Sequence, residues 1–147
     1  MIAKMEGMKE AGAVLKALRA EVSHEVVEAA LEAGARVIEA AAKSGAPVET
    51  GELRDNIKAK PGKRKDGFVS WVVDSGGAAK EYIGAFLEWG FHIGRRKLKN
   101  RRFVEGTHWF EKSSKGASEE AVETFNQSLI DGTNKALHSA GATGSVV

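Results

Sequence analysis

The sequence predicts an α+β fold: a long N-terminal helix and a C-terminal helix packed on a small antiparallel β-sheet. Three observations carry this. Apolar residues recur at helical spacing near both ends, β-branched and aromatic runs fill the middle, and a proline–glycine corner separates the first helix from the strand-rich centre. The chain's 147 residues fit one domain, residues 1–147, with a mobile loop over 91–102 and a disordered tail over 138–147 as its expected loose parts.

Taken in order, Leu15, Leu18, Val22, Val26, Val27, Leu31, Ala35, Ile38 and Ala42 place one apolar face on a helix from Met8 to Lys43. Gly34 costs such a helix roughly 1 kcal/mol relative to alanine, which marks it as a close contact. Lys43, Gly45 and Pro47 form the stop: a charge that suits the helix dipole, a residue free to take positive φ, and a ring that cannot continue the helix. Thr50 is the expected cap of the short turn beyond the stop, Gly51 permits its tight geometry, and Leu53 points inward. Glu49 or Arg54 can form a local ion pair there.

Three strands are predicted next, in "IKAK", "FVSWVVDS" and "EYIGAFLEWG", with "PGKRKDG" as a polar hairpin loop between the first two. "FHIGRRKLKNRR" reads as a loop, or as the two arms of an extended hairpin with "RFVEG" returning. Thr107 is the expected cap of the second helix. Trp109, Phe110, Ala117, Ala121, Val122, Phe125, Leu129 and Ile130 carry its helical spacing to an end near Asn134–Leu137.

Composition narrows function. With no cysteine, disulfides and thiolate metal sites are excluded. The 22 basic and 20 acidic side chains nearly cancel, so the chain as a whole has no field demanding a polyanionic partner. Neither a secretion signal nor a membrane span is expected, since no long apolar run occurs. Glu88, His92 and His108 are the residue types of a metal or acid/base cluster, but no two of the three stand at His-x-x-x-His or Glu-x-x-His spacing to support one. Ser70, Ser75 and Ser113 lack a nucleophile elbow, and "GKRKDG" lacks the spacing of a phosphate loop. The reading is therefore a non-enzyme with no metal and no cofactor.

The candidate binding residues are cationic. Lys63, Arg64 and Lys65 form one cluster, and Arg95, Arg96, Lys97, Lys99, Arg101 and Arg102 form a denser one flanked by Trp89, Phe91 and Phe103. Such a segment can dock on an acidic protein ring, contact nucleic acid through phosphates, or remain a solvated loop.

"SGAPVETGELRDNI" resembles the "A-P-x-D/E-T-G-x-L-R-x-S/N-I" signature of the long-tailed bacteriophage tail-component family, the tail-completion or head–tail joining proteins of siphophages. "YIGAFLEWGF" is similar to that family's "Y-A-x-x-V-E-x-G-T" segment, and "THWFEKSSKGA" to its "A-x-P-F-L-x-P-A" entry to the last helix. The motif positions here are Pro47, Thr50, Gly51, Leu53, Glu88, Gly90, Trp109 and Phe110. Two departures stand out: His108 occupies the place of a proline, and the basic segment is longer and more charged than the family's. The resemblance implies a structural virion protein in the tail's neck region, assembled in the host cytoplasm. It also implies a ring of its own copies, six in number, contacting the tail tube protein below and the head–tail connector or stopper above, with DNA passing through. The rival reading is a small nucleic-acid-binding protein that uses the basic segments.

Overall fold

The computed structural model of the chain describes residues 24–47, 51–63, 69–75, 81–94 and 101–139. Helix α1 (His24–Gly45) is the C-terminal part of the predicted first helix; the rest of that prediction, from Met8 to Ser23, lies outside the described residues, as do Glu49, Thr50 and the tail beyond Ser139. The most buried positions of α1 are Ala30, Gly34, Glu39, Ala42 and, just past its end, Ala46. Leu31, Ala35 and Ile38 of the predicted face are only half-buried. Small residues line the contact because α1 lies close against helix α5 (Ser118–Ser139): a Cβ added at Gly34 would sit 3.0 Å from the Ala121 carbonyl oxygen and 3.4 Å from Phe125 Cβ. Gly34 is thus the close contact its cost foretells.

The stop after α1 works differently from the expectation. Gly45 is the last helical residue, and its φ is not positive; the positive-φ glycines among the described residues are Gly51, Gly90 and Gly94. What Gly45 provides is space, since a Cβ there would collide with Ser113 of helix α4 (Trp109–Gly116). The left-handed residue is Gly51, at φ 77°, which starts the five-residue helix α2 (Glu52–Asn56). Its carbonyl accepts the Asp55 N–H at 3.0 Å. Leu53 does point inward, onto the cluster of Ala42, Ala46, Ile57 and Trp109. Arg54 pairs with its neighbour Asp55 at 3.3 Å, on the surface.

Strand β1 (Lys58–Pro61) pairs antiparallel with β2 (Trp71–Asp74), in register from Lys58↔Asp74 to Pro61↔Trp71. The predicted hairpin is therefore present, its mouth closed by the Gly62 N–H on the Ser70 carbonyl at 2.8 Å and its side braced by a Lys60–Asp74 ion pair. A second two-stranded antiparallel sheet joins β3 (Gly90–Ile93) to β4 (Arg102–Glu105). Hence the single sheet of the expectation is two separate hairpins. The ends of the predicted 91–102 loop are ladder residues, and its centre, 95–100, lies outside the described residues.

The third predicted strand is a helix. "EYIGAFLEW" forms α3 (Glu81–Trp89), whose inward positions Gly84, Leu87 and Glu88 fall at steps of three and one. A short segment that is apolar on nearly every side satisfies a strand reading and a helix reading alike, and here tertiary context chose the helix. The last helix also runs longer than predicted, to Ser139, and a break at Ala117 separates α4 from α5.

Glu39 holds β1 to α1. It is 7% exposed; Oε2 accepts the Ala59 N–H at 2.9 Å, and Oε1 accepts from Lys43 Nζ at 2.6 Å. The Lys43 ammonium, followed by the Ala59 amide, holds this carboxyl below the ordinary glutamate range. A depressed folded-state value stabilises the fold above the unfolded-state pKa of about 4.3, and that contribution disappears as pH falls through the folded value. Urea unfolding between pH 6 and pH 3 should therefore show stability dropping on acidification, and Glu39→Gln should be less stable at pH 6 while losing part of that slope.

Candidate functional site

The distinctive geometry lies where α3 ends and α4 begins. A whole hairpin separates the two termini in sequence, yet each satisfies the other's unpaired backbone groups. The Leu87 carbonyl accepts the Thr107 N–H at 2.8 Å and its hydroxyl at 3.1 Å, and the Glu88 carbonyl accepts the His108 N–H at 3.3 Å. In return the Glu88 side chain, 7% exposed, caps α4: Oε2 accepts the Phe110 N–H at 2.8 Å and Oε1 the Glu111 N–H at 3.1 Å. These are two of the four amides that a helix start leaves without partners, and the negative carboxylate sits at the positive end of the helix dipole.

This corrects one sequence expectation. Thr107 does not cap the second helix; it bonds back to α3, and the cap is borrowed from Glu88. Both oxygens of Glu88 are occupied by backbone donors. The structure does bring together a group that spacing could not show: ligand atoms of Glu88, His108 and Glu111 lie within 4.8 Å of one another. Their arrangement serves capping rather than metal binding, since the amides of Phe110 and Glu111 face the same oxygens a cation would need. Glu111 is in addition engaged by Lys115 at 2.6 Å, which lowers its pKa, and His92 is turned to Phe103 instead, ring centroids 4.9 Å apart.

Gly90 and His108 set the angles of this junction. Gly90 sits at φ 87°, and a Cβ on it would strike the Val104 carbonyl oxygen and the Phe103 ring. His108 sits at φ 50°, a value that a proline ring, fixed near about −65°, cannot reach. The departure from the proline pattern is therefore a different entry into α4, and His108 is the one left-handed non-glycine among the described residues. Trp109 comes next, 5% exposed in the core, with Phe110 edge-on to it at 5.6 Å.

With its acid buried, α3 turns its aromatic residues outward. Tyr82, Ile83, Phe86 and Trp89 are exposed, Trp89 at 65%. Tyr82 and Phe86 are 5.7 Å apart, Phe86 and the half-buried Phe91 5.6 Å, so three rings run from the helix onto β3, where exposed Ile93 continues them. On the hairpin's other face Phe103 lies over Gly90, while Trp89 meets His108 edge-on at 5.7 Å. Of the residues that sequence nominates for binding, Trp89, Phe91, Phe103 and Arg102 thus share the hairpin and its root, with exposed Arg101 beside them. Arg95, Arg96, Lys97 and Lys99 lie outside the described residues, as do Arg64 and Lys65 of the smaller cluster. Tyr82 and Phe86 are not among the nominated residues; their spacing with Trp89, at i, i+4 and i+7, is the helical signal that would have found them.

A family model described as "Bacteriophage HK97-gp10, putative tail-component" matches residues 8–90, more than half of the chain. The chain belongs to this family. It is a bacteriophage tail-associated structural component, as the resemblance of its two central motifs implied. The match contains both "PVETGELR" and the Glu88-x-Gly90 segment, whereas Phe110 and Glu111, whose amides Glu88 accepts, lie beyond it. Among curated proteins nothing matches the chain, and no solved structure matches it either. No described helix is long and apolar enough to cross a membrane.

Removing the cap leaves two partly buried amides without acceptors, which costs about 1–3 kcal/mol. Glu88→Ala should accordingly lower the urea midpoint, with the amides of Phe110 and Glu111 losing most protection from hydrogen exchange. Glu88→Gln, which keeps one acceptor oxygen, should fall between Glu88→Ala and the native chain.

Proposed function

We propose that this tail component forms a ring of its own copies at the head-proximal end of a siphophage tail, where it completes the tail and joins it to the head connector. The observation that carries the reading is the exposed aromatic face of α3 and the β3–β4 hairpin. Apolar surface of this kind, continuous and ringed by polar residues, marks a place where another protein sits. Aromatic residues are also the ones that carry most binding energy in interfaces. The rigid clasp beneath, from Glu88 to the start of α4, supports the reading in a second way. It holds the face in one orientation, so little ordering cost remains to be met on assembly.

In this reading Trp89, Phe91 and Phe103 anchor the hairpin, and the cations from Arg95 to Arg102 orient it towards an acidic neighbour in the assembly. Charged residues around an apolar centre mainly speed and align the encounter. Glu88, the acid that the sequence offers for acid/base work, is occupied as a helix cap, which supports an assembly role.

Light scattering on the purified chain, alone and then with its tail tube protein, tests this. The expected result is a closed ring of defined mass on the tube; a monomer indifferent to tube but retained on duplex DNA at low salt would favour the nucleic-acid reading instead. Replacing Tyr82, Phe86 and Trp89 together by serine should abolish head–tail joining while shifting the melting temperature little, because these side chains are already exposed.

A further inference from the structure

Two separate surfaces carry opposite charges beside exposed apolar residues. On the hairpin, Ile93 is 52% exposed and pairs across the ladder with Arg102, so both side chains stand on one face, next to exposed Arg101. The connection between the strands adds four more cations in sequence and no acid. On α5, Val122 is 58% exposed and lies on one open strip of the helix with Glu119, Glu123, Asn126 and the half-buried Ile130. From Ser118 to Asn134 this helix carries the acids Glu119, Glu120, Glu123 and Asp131 and no lysine or arginine. Neither the acids Glu119, Glu120 and Glu123 nor the cations Arg101 and Arg102 form an ion pair among the described residues.

We infer that copies of this chain associate head to tail, with Ile93 and Arg102 of one copy set against the Val122 strip of the next, beside Glu119 and Glu123. This rests on the ring reading and deepens it by naming the two surfaces. The occupant is a second copy because one chain presents both halves of the match, an exposed apolar residue with basic neighbours and an exposed apolar strip with acidic ones. A contact between two different patches of identical chains leaves one of each unused at every step, so it propagates rather than stopping at a dimer, and it closes into a ring when the rotation between neighbours divides a full turn. Like charges would meet if hairpin faced hairpin or α5 faced α5, which penalises both two-fold alternatives.

The absence of native cysteine makes the test clean, since introduced thiols are the sole ones. Ile93→Cys and Val122→Cys both fall at exposed positions, where substitution does not empty the core. Treated with a short bis-maleimide, the double variant should give a ladder of covalent oligomers. A mixture of the two single variants should give dimer and nothing larger, and neither single variant alone should link to itself. Adding Arg102→Glu to the double variant should remove most of the ladder, and Glu119→Lys with Glu123→Lys should restore it. Self-linking of Ile93→Cys alone would overturn the proposal in favour of a two-fold hairpin contact. Light scattering on the same samples separates the remaining cases: a ring without cross-links sinks this contact and spares the ring reading, whereas a monomer with and without the tube protein, and without cross-links, sinks both.

Discussion

The rest of this structure depends on one buried carboxylate. Glu88 lies at the end of α3 and accepts the first free amides of α4, so a single side chain fixes the angle between two helices that are separated in sequence by a whole hairpin. The reverse bonds, from Thr107 and His108 to the carbonyls of Leu87 and Glu88, make the junction reciprocal. Orphan groups at a helix end must be satisfied somewhere, and here each end is the other's partner. Because α3 is locked with its acid inward, its aromatic side chains have nowhere to go but out. The exposed face is therefore a consequence of the cap and not an independent feature.

A second buried acid repeats the device. Glu39 on α1 accepts the Ala59 amide of β1 and is balanced by Lys43, so the first hairpin is attached to the helical layer as the second is attached to α4. A buried charge is tolerated only where hydrogen bonds or an opposite charge replace the lost water, and both acids meet that condition, Glu88 with amides alone and Glu39 with an amide and an ammonium. The apolar core between them is small: Ala42, Ala46, Ile57 and Trp109, with Leu53, Val73, Leu87 and Phe110 against it. Among the described residues few large side chains are buried and several aromatic ones lie outside, which leaves surface to bury on a partner and accords with a component of a larger virion assembly.

The architecture separates support from contact. Helices α1 and α5 lie against each other through Ala30, Gly34 and Ala121, where small residues allow close approach and the backbones stiffen one another. The α3–hairpin unit is tied to that pair through α4 and through Leu87, which packs on the core, and it carries the rings of Tyr82, Phe86, Trp89, Phe91 and Phe103 together with Arg101 and Arg102. Rigid helices beneath and a presented hairpin above are what an assembly subunit needs to meet a neighbour without first ordering itself.

By itself the sequence determined the helices at both ends as far as they are described, the turn from Gly51 to Leu53, the β1–β2 hairpin and the family, because these rest on local signals: apolar spacing over many turns, a glycine that permits a tight turn, a motif read in order. It also marked Glu88, Gly90, Trp109 and Phe110 as belonging to one pattern without saying why. Only the tertiary structure decided that "EYIGAFLEW" is a helix, that Thr107 yields its capping role to Glu88, and that the sheet is two hairpins. The reason is range. A short segment apolar on nearly all sides has no periodicity of its own to settle the matter, and a cap supplied from across a hairpin leaves no local trace. What turned that segment into a helix, with its acid in and its aromatics out, was the set of unpaired amides at the start of α4, and those exist only once the chain has folded back on itself.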